Sequence, residues 1–423
     1  MRTLYSLLFY LALPAVLGRL YWRGIKAPQY RRRWRERLGF YSPRSRKPVL
    51  WLHAVSVGEV EAAAELVRRL LSQYPERGLL ITTTTPTGSA RVHALFGEQV
   101  EHVYLPYDLP PVIERFFAHF QPQGAVFMEK ELWPNLFAAC RAKRIPLYVI
   151  NARLSARSAR SYLKIPALIK PTLACITTIA AQTEDDRARF IDIGARPDQV
   201  QVLGNLKFDL SIDESLWIEA VELKRRLFAG RFVWIVASTH HDEEAQLLPI
   251  YRQLKQRIPS LLCLIAPRHP ERFAVVETLC RDQGFSVVTR SSAQSVTSAI
   301  DIYLADSLGE LKLLYATSDV AFVGGSLVPV GGHNVLEPAA IGVPVIFGPQ
   351  MFNFQEIADR MLALEAAIQC RSADAVAEAI LRLYDNQDVR QHLVGQAQAF
   401  VRQNQGAVSR IAALLSHFKS ECV

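Results

Sequence analysis

From residue 48 onward the chain repeats one pattern: a short β-rich run, a polar turn, then a stretch with helical periodicity. PVLWLHAV, GLLITTTT, HVYLPYD, GAVFMEKE and IPLYVINAR read as strands, and ACITTIAAQT and QVQVLGNLKF continue the series. Segments such as EVEAAAELVRRLLSQY and PPVIERFFAHF read as the helices between them. Strands alternating with helices require right-handed crossovers and hence a parallel sheet. After Leu210 the pattern breaks at the polar, helical SIDESLWIEAVELKRRLFAG. It then restarts with RFVWIVAST, SLLCLIAPR, FSVVTRS, AIDIYLAD, DVAFVGGS and VPVIFGP. This predicts an α/β protein with two doubly wound parallel sheets in tandem, joined near residues 211–230, and a cleft between them. A chain of 423 residues is long for one core, which agrees. The closing NQGAVSRIAALLSHF reads as a helix free to pack on either domain. Ligands in such sheets bind beyond the carboxyl ends of the strands.

The net charge of +9 suggests a nucleic-acid partner until its position is considered. Residues 1–50 hold twelve Lys or Arg and one acid, Glu36, which leaves 37 basic and 39 acidic groups in the rest. The near-neutral body excludes a basic groove across the fold, so no nucleic acid is expected. Residues 3–18, TLYSLLFYLALPAVLG, are uncharged. As a helix these sixteen residues span about 24 Å, short of the roughly 30 Å hydrocarbon core. They predict a marginal transmembrane helix or one lying partly in the membrane. The basic cluster comes after the apolar run, an order that fits an uncleaved anchor and keeps the rest of the chain on the cytoplasmic side, against anionic headgroups. The alternative is a buried helix with a solvated connector. Cys140, Cys175, Cys263, Cys280, Cys370 and Cys422 form no C-x-x-C pair, which predicts reduced thiols.

Several segments offer chemistry. In Ser56-Val57-Gly58-Glu59 a strand turns into a helix, and Ser-x-x-Glu is a capping box in which Ser56 and Glu59 satisfy each other's N–H groups. A carboxylate there is equally placed for catalysis, and both readings stand. Glu129 and Glu131 can share a face of an extended segment, where like charge raises one pKa, or pair with Lys130 or an arginine. Lys207 in GNLKFD reads as a cleft-facing charge or a solvated one. Arg153, Arg157 and Arg160 suit an acidic ligand or a solvated helix face.

In DVAFVGGSLVPVGGHNVLEPAA two glycine pairs, Gly324-Gly325 and Gly331-Gly332, precede a helix. That arrangement predicts a backbone that approaches phosphate and ribose, while Asn334 and Glu337 also fit a capping pair. It is neither G-x-G-x-x-G nor a Walker loop. Arg268 comes directly after the strand SLLCLI in APRHP and suits bidentate phosphate binding or a surface position. STHHDEE looks like a metal cluster, but adjacent helical residues do not face one another. Capping by Ser238 or Thr239 with an acidic first turn is the expected role. No Gly-x-Ser-x-Gly elbow is present, so hydrolase readings drop out.

The blocks HAVSVGE, TTTTPTGSARV, VYLPYDLP, FMEKELWPN, NARLSARS, GNLKFD, PRHPERF, DSLGELKLLY and FVGGSLVPVGGHNVLEPAA resemble the 3-deoxy-D-manno-octulosonic acid (Kdo) transferases of lipid A biosynthesis. The resemblance runs from the N-terminal anchor to about residue 405. It implies a GT-B fold, two Rossmann-like domains around a cleft, divided as an anchor and basic segment (1–47), an acceptor domain (48–215) and a donor domain (216–423). It implies transfer of Kdo from CMP-Kdo to lipid IVA at the cytoplasmic face of the inner membrane, inverting, with no metal and no cofactor. Glu59 matches the family's base, and Glu129 and Lys207 match its transition-state stabilisers. Pro267, Arg268, Leu308, Gly309, Glu310, Asn334, Val335, Leu336 and Glu337 match its CMP-binding positions. The family has glycine where this chain has Asp242, which leaves that loop's role open. A sugar-nucleotide epimerase, another lipid-acceptor glycosyltransferase and a non-catalytic membrane scaffold are the competing readings.

Overall fold

The computed structural model describes residues 1–42 and 49–416. Pro48 of the first expected strand, the basic Arg44, Arg46 and Lys47, Phe418 of the closing helix and Cys422 lie outside that range. Two units are present, Met1–Asp209 with Gln405–Val423, and Leu210–Asn404.

In the first unit seven strands, β1 (Val49–His53), β2 (Gly78–Thr83), β3 (Glu101–Tyr104), β4 (Pro122–Met128), β5 (Leu147–Ala152), β6 (Thr178–Ala181) and β7 (Val200–Val202), form one sheet in the order β3-β2-β1-β4-β5-β6-β7. Every pairing is parallel. Successive side chains of β1 face opposite ways, and helices cover both faces, so all five residues are buried. Val49 and Trp51 join Phe116, Phe120, Phe127 and Phe137 on one side. Leu50 and Leu52 join Val60, Leu66, Val67 and Leu70 of the helix Val57–Gln73 on the other. That second layer also takes Val408, Ile411 and Leu415, so the last helix, Ala407–Leu414, packs in the first unit instead of running on with the second. The Asp209 carboxylate accepts from the N–H groups of Gly406 and Val408, joining the residue where the chain leaves this unit to those where it returns.

The second unit repeats the plan with β8 (Phe232–Thr239), β9 (Leu261–Pro267), β10 (Val287–Thr289), β11 (Ile302–Leu304), β12 (Val320–Val323), β13 (Val345–Phe347) and β14 (Ile368–Gln369), in the order β10-β11-β9-β8-β12-β13-β14. Phe232, Trp234 and Val236 face one core layer, and Val233, Ile235 and Ala237 the other. β14, two residues long, carries no pattern that a sequence reading could find. The strand order reverses between β1 and β4 in the first sheet and between β8 and β12 in the second. At such a reversal the crossovers diverge to opposite faces and open a crevice at the carboxyl ends.

The N-terminal helix runs on beyond the uncharged residues 3–18. It spans Arg2–Lys26, 25 residues or about 38 Å, because Arg19 and Arg23 are good helix formers and do not end it. Residues Arg2–Ile25 are long and apolar enough to cross a membrane, with mean hydropathy 1.5. One stripe touches the first unit, where the Asn135 amide donates to Ser6 Oγ at 2.9 Å and Phe9 meets Tyr107. Leu4, Leu7, Leu8 and Leu11 are exposed. Among the described residues the thiols of Cys140, Cys175, Cys263, Cys280 and Cys370 are free.

Candidate active site

In the first unit the polar residues gather at the carboxyl ends of β1, β4 and β5 and after β7. Glu59 does not form the expected capping box. Ser56 has extended backbone and its side chain caps nothing, while Glu59 Oε2 accepts from the N–H of Val55 at 2.8 Å. The carboxylate thus bends over the end of β1 one residue earlier than the box requires. Burial pushes its carboxyl up to about 8, helped by the negative charge of Glu129 and Glu131 and opposed by the Val55 bond and Arg153.

Glu129 directly succeeds β4 with φ of 58°, a conformation that costs a residue bearing a Cβ and that collects at functional sites. Its N–H donates to the Ile150 carbonyl (2.9 Å), and its buried carboxylate accepts from Arg153 Nε at 3.2 Å. Arg153 therefore joins the site as a residue whose pairing the sequence left open. Glu131 is pushed up chiefly by burial, with Glu129 only a minor cause, so the expected like-charge pair is a small effect.

Lys207 lies in the single turn Leu206–Phe208. Asn205 Oδ1 caps that turn by accepting from the Lys207 N–H (3.0 Å), and Asn151 Oδ1 accepts from Leu206 N–H (3.0 Å). Gln182 ties the two asparagines together, donating to the Asn151 carbonyl and accepting from Asn205, both at 2.9 Å. Burial lowers the Lys207 pKa against the fields of Glu129 and Glu59, so the lysine shares their neighbourhood. Glu59, Glu129 and Lys207, distant in sequence, are brought together.

In the second unit the loops after β11, β9, β8 and β12 stand side by side at the carboxyl edge. Pro267 ends β9 and is buried, and Arg268, whose N–H donates to the Thr239 carbonyl (3.1 Å), is exposed. Glu310 takes a bidentate bond from Arg290 (2.7 and 3.2 Å) and another from Ser307, and these hold its carboxyl below the usual range. Leu308 is 66 % exposed, and Gly309 has φ of 87°. Asn334 Oδ1 accepts from Leu336 N–H at 3.0 Å. Val335 and Leu336 are fully buried, so their side chains serve the core and only their backbone is available to a ligand.

Two expectations for this unit are corrected. Neither Ser238 nor Thr239 caps the helix Glu243–Arg257. The cap is Asp242, at φ 69°, the left-handed conformation that glycine adopts without strain and aspartate tolerates. Glu243 is not a solvated first-turn acid but is fully buried against backbone N–H groups of the glycine loop. Nor are the glycine amides open to a phosphate. The N–H of Gly324 donates to Ala237, that of Gly325 to Glu243, and those of Gly331 and Gly332 to the Gly325 carbonyl, so all four are already taken within the chain. Close packing accounts for another glycine: the Gly348 N–H donates to Ser326 Oγ at 2.8 Å, and a Cβ there would run into the Ser326 carbonyl group. Gly348→Ala is expected to destabilise the second unit by about 1–3 kcal/mol, read as a lowered unfolding midpoint.

His240 and His333 lie with their Nε2 atoms 2.8 Å apart and their rings nearly coplanar, so one donates and the other accepts. Burial, with neighbouring His240 and Arg268, pushes His333 down to about 3, and burial also lowers His240. Both shifts favour the neutral imidazole. Sequence reasoning missed Glu243, and its one signal was position: an acid just past a strand end, beside the strand that leads to the glycine pair.

Two doubly wound parallel sheets in tandem define the GT-B fold. A solved UDP-GlcNAc 2-epimerase from Neisseria meningitidis, bound to UDP-GlcNAc, shares this fold with a TM-score of 0.58 over 87 % of this chain and 99 % of its own, at 16 % identity. Residues 32–210 match the family described as 3-deoxy-D-manno-octulosonic-acid transferase (kdotransferase). The 3-deoxy-D-manno-octulosonic acid transferase of Haemophilus influenzae is 41 % identical over 420 residues, 99 % of this chain and 98 % of that one. That of Bordetella pertussis is 36 % identical over 391 residues, 88 % of each. The chain belongs to this family, and it is a Kdo transferase of lipopolysaccharide biosynthesis.

Proposed function

We propose that the donor is CMP-Kdo and the acceptor lipid IVA, and that transfer is a single inverting displacement with no metal and no cofactor. The observation that carries this reading is Glu59, a carboxyl at the strand-order reversal, raised to about 8, with Glu129 and Lys207 in its field. An acceptor hydroxyl is far too weak an acid to ionise at neutral pH, so a base must take its proton as it attacks. A base works best when its pKa lies near the working pH, and burial has brought Glu59 there. The hydroxyl oxygen bonds to the anomeric carbon, Glu59 takes the proton, and the bond to CMP breaks with its electrons passing to the phosphate. Attack opposite the leaving group inverts the centre.

Glu129 and Lys207 act on the charge that develops during transfer. The exposed guanidinium of Arg268 takes the phosphate, a role that fits a planar fork of donors better than the glycine amides, which are occupied. Pro267, Leu308, Gly309, Glu310 and the Asn334–Glu337 segment complete the CMP site. Incubation of the purified protein with lipid IVA and CMP-Kdo, then mass spectrometry, is expected to show addition of Kdo residues, unchanged by a chelator. NMR of the product is expected to show an inverted anomeric centre. No mass gain, or loss of transfer on chelation, would sink the corresponding part of the reading.

The Arg2–Lys26 helix holds the enzyme at the cytoplasmic face of the inner membrane, where a lipid acceptor's acyl chains remain in the bilayer. The full chain is expected to stay with membranes through a high-salt wash and to need detergent for release. A variant lacking residues 1–26 is expected to come off in salt. Release of the full chain by salt alone would contradict the anchor.

A further inference from the structure

The Glu243 side chain is fully buried, and its two oxygens take four main-chain N–H groups. Oε2 accepts from Gly325 (2.7 Å) and His240 (3.2 Å), and Oε1 accepts from Ser326 and Leu327 (both 3.0 Å). A carboxylate offers about four lone-pair positions, so this one is saturated. Three successive N–H groups converging on one anion form the kind of backbone nest in which phosphate-binding loops hold their ligand. Here the anion is a side chain of the same chain. The bonds continue from there. The Gly325 carbonyl accepts from Gly331 (3.1 Å) and Gly332 (2.7 Å), the residues just before His333. His333 meets His240 at 2.8 Å, and the His240 N–H returns to Glu243. Glu243, Gly325, Gly332, His333 and His240 therefore close a circuit, and Asn334–Glu337 continues directly from it.

We infer that Glu243 is a positioning residue of the donor site: it permanently fills the anion seat of the glycine-rich loop and so holds Asn334–Glu337 in place for the nucleotide without touching it. This rests on the reading of Asn334–Glu337 as part of the CMP site. Glutamine is no conservative replacement, since whichever way its amide turns, the NH2 group meets two N–H donors. Alanine leaves a hole of carboxylate shape that acetate can enter.

The first experiment uses the full-length wild-type protein in detergent. Hydrogen exchange of the Gly325, Ser326 and Leu327 amides is expected to be slow without ligand, and CMP is expected to add protection at 334–337 but none at 325–327. Protection of 325–327 that arises only with CMP would overturn the inference. If CMP changes exchange nowhere in the second unit, the donor reading fails, and the ligand-free rates at 325–327 still decide for or against the filled seat.

The second experiment is kinetic. Glu243→Gln is expected to raise the donor KM roughly tenfold to a hundredfold, the effect of buried donors left unsatisfied, with kcat much less affected. Glu243→Ala is expected to show the same defect, and millimolar acetate is expected to relieve it there but not in Glu243→Gln or the wild type. A wild-type KM in Glu243→Gln, or an alanine variant indifferent to acetate, would count against the inference. Should a variant fail to fold, the exchange experiment decides alone.

Discussion

Glu59→Gln is expected to lower Kdo transfer by roughly 10²- to 10⁴-fold, the usual contribution of a positioned base, in a protein that still folds. Glutamine keeps the shape of the side chain, and its carbonyl oxygen can still accept from the Val55 N–H, so the end of β1 is undisturbed. What is lost is the capacity to take a proton. The wild-type pH profile carries the complementary signature. A base must be deprotonated, so kcat/KM is expected to rise with pH until Glu59 ionises near 8, falling about tenfold per unit below that. Stability runs the other way. Between its ordinary value of 4.5 and about 8 the folded protein retains a proton that the unfolded chain releases, so this group's contribution is present below pH 4.5 and lost as pH rises through 8. The glutamine variant lacks that loss, and its unfolding midpoint is expected to gain on the wild type as pH increases. Normal transfer by Glu59→Gln, or a flat profile between pH 6 and 9, would remove Glu59 from the chemistry.

Lys207→Met is expected to cost roughly 10²- to 10³-fold in kcat, the scale of one preorganised electrostatic group at a site of developing charge. Methionine nearly preserves the side chain's bulk, and the main chain of the turn that carries it is held by Asn205 and Asn151. A second effect separates this outcome from simple damage. Lys207 and Glu59 sit in each other's field, so loss of the positive charge makes Glu59 harder to ionise. The acidic limb of the pH profile is expected to move to higher pH. An unchanged limb with reduced kcat would place Lys207 away from the base, and unchanged kcat would remove it from the site.

The alternation of apolar runs and helical stretches made the two sheets legible, because a strand covered on both faces must be apolar almost throughout, as Val49–His53 and Phe232–Thr239 are. The switch points were not legible, since strand order is a property of crossovers and leaves no mark on any one segment. The Ser-x-x-Glu pattern identified Glu59 as a residue that bonds backbone at a strand end, but the N–H it takes is that of Val55 and not of Ser56. Glu243 was out of reach for a different reason. Three of its four partners are main-chain amides more than eighty positions away, and every residue but proline has such an amide, so nothing in the letters Gly325, Ser326 and Leu327 advertises the bond. Lys207 and Arg268 could not be told apart as sequence. Lys207 is half-buried and Arg268 exposed, which is what now distinguishes them.

The bonds from Gly406 and Val408 to Asp209 mean that the chain leaves and re-enters the first unit at a single stapled point. Topologically, Leu210–Asn404 is an insertion into the first unit, whose final helix is supplied by residues beyond it. An insertion whose two ends are clasped together can be exchanged as a cassette without cutting the host fold. The second unit can therefore vary while the one that carries Glu59 stays whole.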